Sequence, residues 1–109
     1  VIDRRTAPRI SIRVQLEGRK NGDVFQGTSI NVSETGIMIE TNKSLHLGDQ
    51  ITIRFILPGQ EEVVGVGRVV RQEDFDVDKF GYAVHWSLTD DQRLMIAGMI
   101  EASRPENAE

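Results

Sequence analysis

The sequence predicts an all-β domain: a six-stranded antiparallel β-barrel with one C-terminal α-helix. Three observations carry that expectation. Short runs of alternating apolar and polar residues, separated by turn signals, fill residues 10–86, and period 2 is what a strand with one buried face requires. The period turns helical only once, near residue 89. Finally, so many bent strands in a chain of 109 residues are expected to close on themselves, because closure removes exposed edges.

The elements follow in order. "ISIRVQLEG" (10–18) alternates, with Ile10, Ile12, Val14 and Leu16 on one face, and reads as one continuous strand. "RKNGD" (19–23) holds Asn21-Gly22, a strong signal for a tight turn between strands. "VFQGTSINVS" (24–33) is the second strand, rich in β-branched residues. "ETG" breaks it, and "IMIET" (37–41) is the third strand, with Ile37 and Ile39 sharing a face. "NKSLHLGDQ" (42–50) is a loop from which Leu45 and Leu47 are expected to tuck back onto the barrel.

"ITIRFIL" (51–57) alternates through Ile51, Ile53, Phe55 and Leu57, and Pro58-Gly59 ends it. "EEVVGVGRVVRQ" (61–72) is a long strand whose Gly65 and Gly67 imply bending or a close backbone approach. "EDFDVDK" (73–79) reads as an acidic loop, and "FGYAVHW" (80–86) as the last strand. The helix runs over 89–103. Thr89 is its N-cap with Gln92 three residues on, Asp90 and Asp91 stand in the first turn, and Met95, Ile96, Met99 and Ile100 form a stripe facing the sheet. The organisation is one domain over 1–109: a flexible N-terminal segment (1–9), the barrel (10–86), the helix (89–103) and a frayed tail (104–109). The chain opens on Val1 rather than methionine, as a trimmed chain or a piece of a longer protein would.

Composition narrows the function. The chain has no cysteine, so it holds neither a disulfide framework nor a zinc ribbon, and a reducing, cytoplasmic setting is expected. No apolar run approaches the roughly 18–20 residues that span a bilayer. Net charge is −4, yet residues 1–20 carry six cations against two carboxylates, leaving −8 on the other 89 residues. Charge concentrated at one end suits a small anionic ligand better than a duplex.

Catalysis and metal binding find little support. His46 and His85 are the only histidines, with no third ligand at a sensible spacing. Asp74, Asp76 and Asp78 alternate, but the run lacks the glycine and closing glutamate of a calcium loop. No serine has a neighbouring base, and no Walker-type phosphate loop occurs. The expectation is therefore a non-enzyme with no metal and no cofactor.

Two local patterns remain. "RRTAPR" (4–9) crowds Arg4, Arg5 and Arg9 around Pro8, which opposes a helix. "NVSETG" (31–36) places an amide, a hydroxyl and a bare backbone (Asn31, Ser33, Gly36) where a strand turns. Alone, the first is an ordinary solvated end and the second an ordinary turn. Together, Arg5-x-x-x-Arg9 followed by Asn31-x-Ser33-x-x-Gly36 resembles the PilZ family, whose signature is RxxxR followed by D/NxSxxG. "LHLGDQITIRFILPG", "GRVVRQ" and "FGYAVHW" resemble the later strands of that family, so most of 4–100 is covered.

The resemblance implies a barrel that binds cyclic di-GMP, a bacterial second messenger with two guanines and two phosphates. Arg5 and Arg9 would grip guanine edges and phosphates, as a planar guanidinium fork suits both. Asn31 would face a guanine edge with one acceptor atom where aspartate offers two. Ser33 would offer its hydroxyl to the ligand or brace the turn. Gly36 would permit a positive φ or a close ligand approach. In the family, a basic residue at the position of Arg4 goes with an intercalated pair of ligands. Arg71 and Arg68 are candidates for stacking or phosphate contact, with plain surface charge the competing reading. The arginine segment would order around the ligand and relay this to an unidentified protein partner in control of motility, biofilm or exopolysaccharide.

Two other classes stay open: a PilZ-like protein-interaction domain that binds no nucleotide, and a small barrel for single-stranded nucleic acid. The second is disfavoured by an acidic pI of about 5.2 and by six aromatic residues that mostly alternate as core.

Overall fold

The computed structural model describes residues 9–57, 59–76 and 78–103, with backbone only at 74–76 and 103. Its strands are β1 (Arg9–Ser11), β2 (Gln15–Lys20), β3 (Asp23–Ser33), β4 (Gly36–Thr41), β5 (Gln50–Ile56), β6 (Glu62–Asp76) and β7 (Lys79–Ser87). They are followed by the helix α1 (Asp90–Ser103). Six strands close the ring in the order β2-β3-β4-β7-β6-β5 and back to β2, each pair antiparallel. The short β1 pairs with the far half of β3, on the side where β2 pairs with its near half.

The barrel follows from the alternation. Ile37 and Ile39, Ile51, Ile53 and Phe55, Val63 and Val69, and Tyr82, Val84 and Trp86 all point inward and are buried. Phe55 and Trp86 stack at 5.9 Å between ring centroids. Gly65 and Gly67 mark a close approach: a Cβ on Gly65 would lie 2.9 Å from the Trp86 ring, and one on Gly67 2.7 Å from the His85 carbonyl. Asn21 and Gly22 both take positive φ, 52° and 89°, in the hairpin between β2 and β3.

The helix is capped as its sequence implies. The Gln92 amide donates to Thr89 Oγ1 at 3.2 Å. Ile96 and Ile100 are buried, Met95 and Met99 pack against the core beside them, and the helix lies against β1 and β3.

Three expectations need correction. The run 10–18 is not one strand: β1 ends at Ser11 and β2 begins at Gln15. Three residues, Ile12–Val14, face only Ser29 and Ile30 of β3, so the ladder must break there. The acidic segment 73–79 is not a loop either, for β6 runs on to Asp76 and β7 starts at Lys79, their backbones pairing to the hairpin tip. Backbone pairing continues there without an apolar pattern to announce it. Of the two loop leucines, Leu45 is buried, its amide donating to Tyr82 Oη at 2.8 Å, whereas Leu47 is 64% exposed. The loop turns at Gly48 and Asp49, which bond to Val69 and leave Leu47 outside.

Candidate functional site

The site is built on two bulges. Along β3, Phe25 and Ser29 face inward, so strict alternation would send Asn31 inward too. Instead the pairing with β4 shifts between Ser29 and Asn31, leaving Ile30 as an extra residue. After it Val32 faces the core with no exposure and Asn31 turns to the outer face. The same happens on β6. Val63 and Val69 face inward, the pairing with β7 shifts between Val69 and Arg71, and Arg71 emerges exposed. A one-residue slip exchanges the faces of a strand, and here two slips deliver one polar residue each to the outside.

Those two residues share a row. Asn31 pairs with Met38, Met38 with Ala83, and Ala83 with Arg71. At about 4.8 Å per strand the row spans roughly 14 Å. A second outward row lies beside it, in which Gly36 pairs with His85, His85 with Arg68, and Arg68 with Gln50.

Arg9 caps the first row. It is the first residue of β1, opposite Ser33, and its Nη1 donates to Asn31 Oδ1 at 3.1 Å. Arg9 was expected within the flexible segment; it stands in a strand. Arg4, Arg5 and Pro8 lie outside the described residues.

The Ser33–Gly36 turn is braced internally. Ser33 is buried, and its Oγ accepts from the amides of Gly36 at 3.1 Å and Thr35 at 3.3 Å. Trp86 ties the turn to β7, its Nε1 donating to the Ser33 carbonyl at 3.3 Å and its amide to the Thr35 carbonyl at 3.0 Å. Of the two roles expected for Ser33, bracing the turn is the one seen. Gly36 does not take a positive φ; the positive-φ glycines among the described residues are Gly22, Gly48 and Gly59. Its lack of a side chain serves the β4–β7 seam, where a Cβ would meet the Val84 carbonyl at 2.8 Å.

The remaining cations are lightly held. Arg71 Nε lies 3.1 Å from Glu73 Oε2, both side chains about half exposed (56% and 46%), and such pairs contribute little. Arg68 Nη1 donates to the Gly48 carbonyl at 3.1 Å. His85 is exposed between Gly36 and Arg68; its alternation was legible in the sequence, its place beside the glycine of the motif was not. Among the described residues no cluster of histidines and carboxylates could hold a metal ion, and no helix is long and apolar enough to cross a membrane.

Elsewhere, Glu40 on β4 is 13% exposed and contacts both Arg13 Nη2 and Lys79 Nζ, the latter at 3.1 Å. Hydrogen bonds from Arg13 first and Lys79 second hold its carboxyl below the usual range.

Comparison with known proteins completes the description. The family model described as "PilZ domain" matches residues 3–102. No curated protein sequence matches significantly. Among solved structures, the inhibitor of motility MotI/DgrA of Bacillus subtilis superposes with a TM-score of 0.86 at 15% identity, over 99% of this chain and 55% of that one. The chain thus spans about half the length of that protein. The PilZ domain of YcgR from Escherichia coli, a structure with c-di-GMP, gives 0.72 at 10% identity, over 92% and 91%. The PilZ domain of CeSA from a cellulose-synthesizing bacterium gives 0.61 at 18% identity, over 87% and 96%. At these identities the likeness is one of fold.

Proposed function

The chain belongs to the PilZ domain family, and from that premise we propose that it is a cyclic di-GMP sensor and adaptor domain of the bacterial cytoplasm. One observation carries the proposal: Arg9 meets Asn31 at one end of an outward row whose other end is Arg71. A guanine offers O6 and N7 to a guanidinium, and its Watson–Crick edge can donate to the Asn31 carbonyl. Phosphates then fall to Arg5 and to the cations of β6, Arg71 and Arg68. Guanidiniums suit this ligand because they pair with phosphate and stack on bases with the same group.

Arg4 adds a third cation to the segment and favours an intercalated pair of ligands over one. Ser33 and Gly36 act behind the surface, holding the turn so that Asn31 stays fixed. The ligand thus gathers Arg4 and Arg5 to the face where Arg9 already stands, and the rearranged face is what a downstream protein reads in control of motility, biofilm or exopolysaccharide.

Isothermal titration calorimetry with cyclic di-GMP tests this, with GMP and cyclic di-AMP as controls. Saturable binding of cyclic di-GMP alone is expected, near two ligands per chain. A flat trace on folded protein refutes nucleotide sensing and leaves a protein-interaction domain.

A further inference from the structure

The segment Ile12–Val14 between β1 and β2 is held from two sides. From within, the fully buried Ser29 hydroxyl accepts from the Val14 amide at 2.9 Å and donates to the Ile12 carbonyl. The backbone closes around it, Ser29 N–H donating to the Val14 carbonyl at 2.9 Å and Ile12 N–H to the Ile30 carbonyl at 3.2 Å. From outside, Arg13 reaches across β3 to Glu40 on β4. Glu40 is steadied in turn by Lys79 of β7.

We propose that Ser29, Arg13 and Glu40 form a joint that sets the direction of β1 and so delivers Arg9 to Asn31, making them positioning residues for the ligand. This rests on the function proposed above. The physical case is one of missing constraints. β1 has three paired residues and, among the described residues, β3 as its one strand neighbour; α1 packs against it but gives it no ladder, and so short an edge piece does not fix its own course. The surplus residue opposite Ser29–Ile30 breaks the ladder, and a break of this kind re-aims the strand beyond it. Ser29 supplies the donor and acceptor that the ladder lacks there, without which buried backbone groups would be unpaired. The Arg13–Glu40 clasp then restrains the link laterally. Asn31 stands just past the Ile30 bulge on the β4 side of β3, level with the break on the β1–β2 side, so two adjoining irregularities turn Asn31 outward and steer its arginine partner to it.

The test compares the native chain with Ser29→Ala, Arg13→Gln and Lys79→Gln, the last removing a cation from Glu40 without touching the link. The readouts are the side-chain amide NMR signals of Asn31, referenced to Arg9→Ala, and calorimetric binding of cyclic di-GMP. Ser29→Ala and Arg13→Gln should move the Asn31 signals toward those of Arg9→Ala and weaken binding about 3- to 10-fold, the scale of one hydrogen bond. Lys79→Gln, which leaves the Arg13–Glu40 contact in place, should change both less than Arg13→Gln does. Arg13→Gln is surface-exposed and keeps the fold testable should Ser29→Ala unfold. Unmoved Asn31 signals, or equal losses of affinity in Arg13→Gln and Lys79→Gln, overturn the joint. If the native chain binds no cyclic di-GMP, the proposed function fails, and the Asn31 signals alone decide whether the joint places Arg9.

Discussion

Arg9 Nη1 donates to Asn31 Oδ1 at 3.1 Å across 22 residues of sequence, so the two polar motifs meet directly. The bond is exposed and contributes little to folding, whereas a guanidinium on a guanine edge is worth roughly 1–3 kcal/mol. Arg9→Ala should therefore weaken cyclic di-GMP binding by about tenfold or more while the thermal midpoint barely moves. Calorimetry and thermal melts on the same preparation check both halves.

Ser33 and Gly36 should behave the opposite way. Ser33→Ala strands two amides that now donate to its Oγ, at a cost of about 1–3 kcal/mol. Gly36→Ala forces a methyl against the Val84 carbonyl, and overpacking of this kind costs about 1–3 kcal/mol. Urea unfolding should show both losses in the ligand-free protein. A stable Gly36→Ala that merely fails to bind would return Gly36 to a role at the ligand.

Much of this was legible beforehand, and what was not has a common cause. Alternation marked the inward residues of β4, β5 and β7; Asn21-Gly22 marked a hairpin, and Thr89 with Gln92 marked the helix start. The order and spacing of Arg5, Arg9, Asn31, Ser33 and Gly36 pointed to the family. The bulges were invisible, because Ile30 and Val70 are ordinary strand residues and an inserted residue changes register without changing composition. The break at Ile12–Val14 hid behind unbroken apolar alternation from Ile10 to Leu16. Arg71 was singled out by charge alone; only the register puts it in line with Asn31.

Tyr82 closes the loop after β4. Its hydroxyl accepts from the Leu45 amide at 2.8 Å and donates to the Lys43 carbonyl at 3.2 Å, in a residue with no exposure. Tyr82→Phe keeps the ring and orphans both backbone groups, so a loss of about 1–3 kcal/mol is expected, with faster hydrogen exchange at Leu45. Ligand affinity should change little, since the two backbone groups that Tyr82 holds, at Lys43 and Leu45, belong to neither outward row.

Acid should weaken the fold partly through Glu40. Arg13 and Lys79 hold its folded pKa below the ordinary 4.5. A depressed carboxylate stabilises fully above its unfolded value, and that contribution drains as pH falls through the folded one. Asp49, lowered by Lys20 and the His46 amide, acts in the same direction, so the comparison must isolate Glu40. The stability gap between the native chain and Glu40→Gln should be constant near neutrality and narrow steadily below about pH 4.5. Denaturant midpoints from pH 7 to pH 3 measure it; a constant gap would mean the carboxyl is not held by its cations.

Glu73 competes for Arg71. The pair lies on the strand beyond the Val70 bulge at 3.1 Å, and a phosphate recruiting Arg71 must displace that carboxylate while also meeting its negative charge. Glu73→Gln removes both obstacles and keeps the side chain's size. Affinity for cyclic di-GMP should rise about 2- to 5-fold, on the scale of an exposed ion pair, and the gain should shrink as salt screens the charge. In an Arg71→Ala background the gain from releasing Arg71 disappears and only the screened repulsion is left. Equal gains with and without Arg71 would place that arginine outside the ligand's reach.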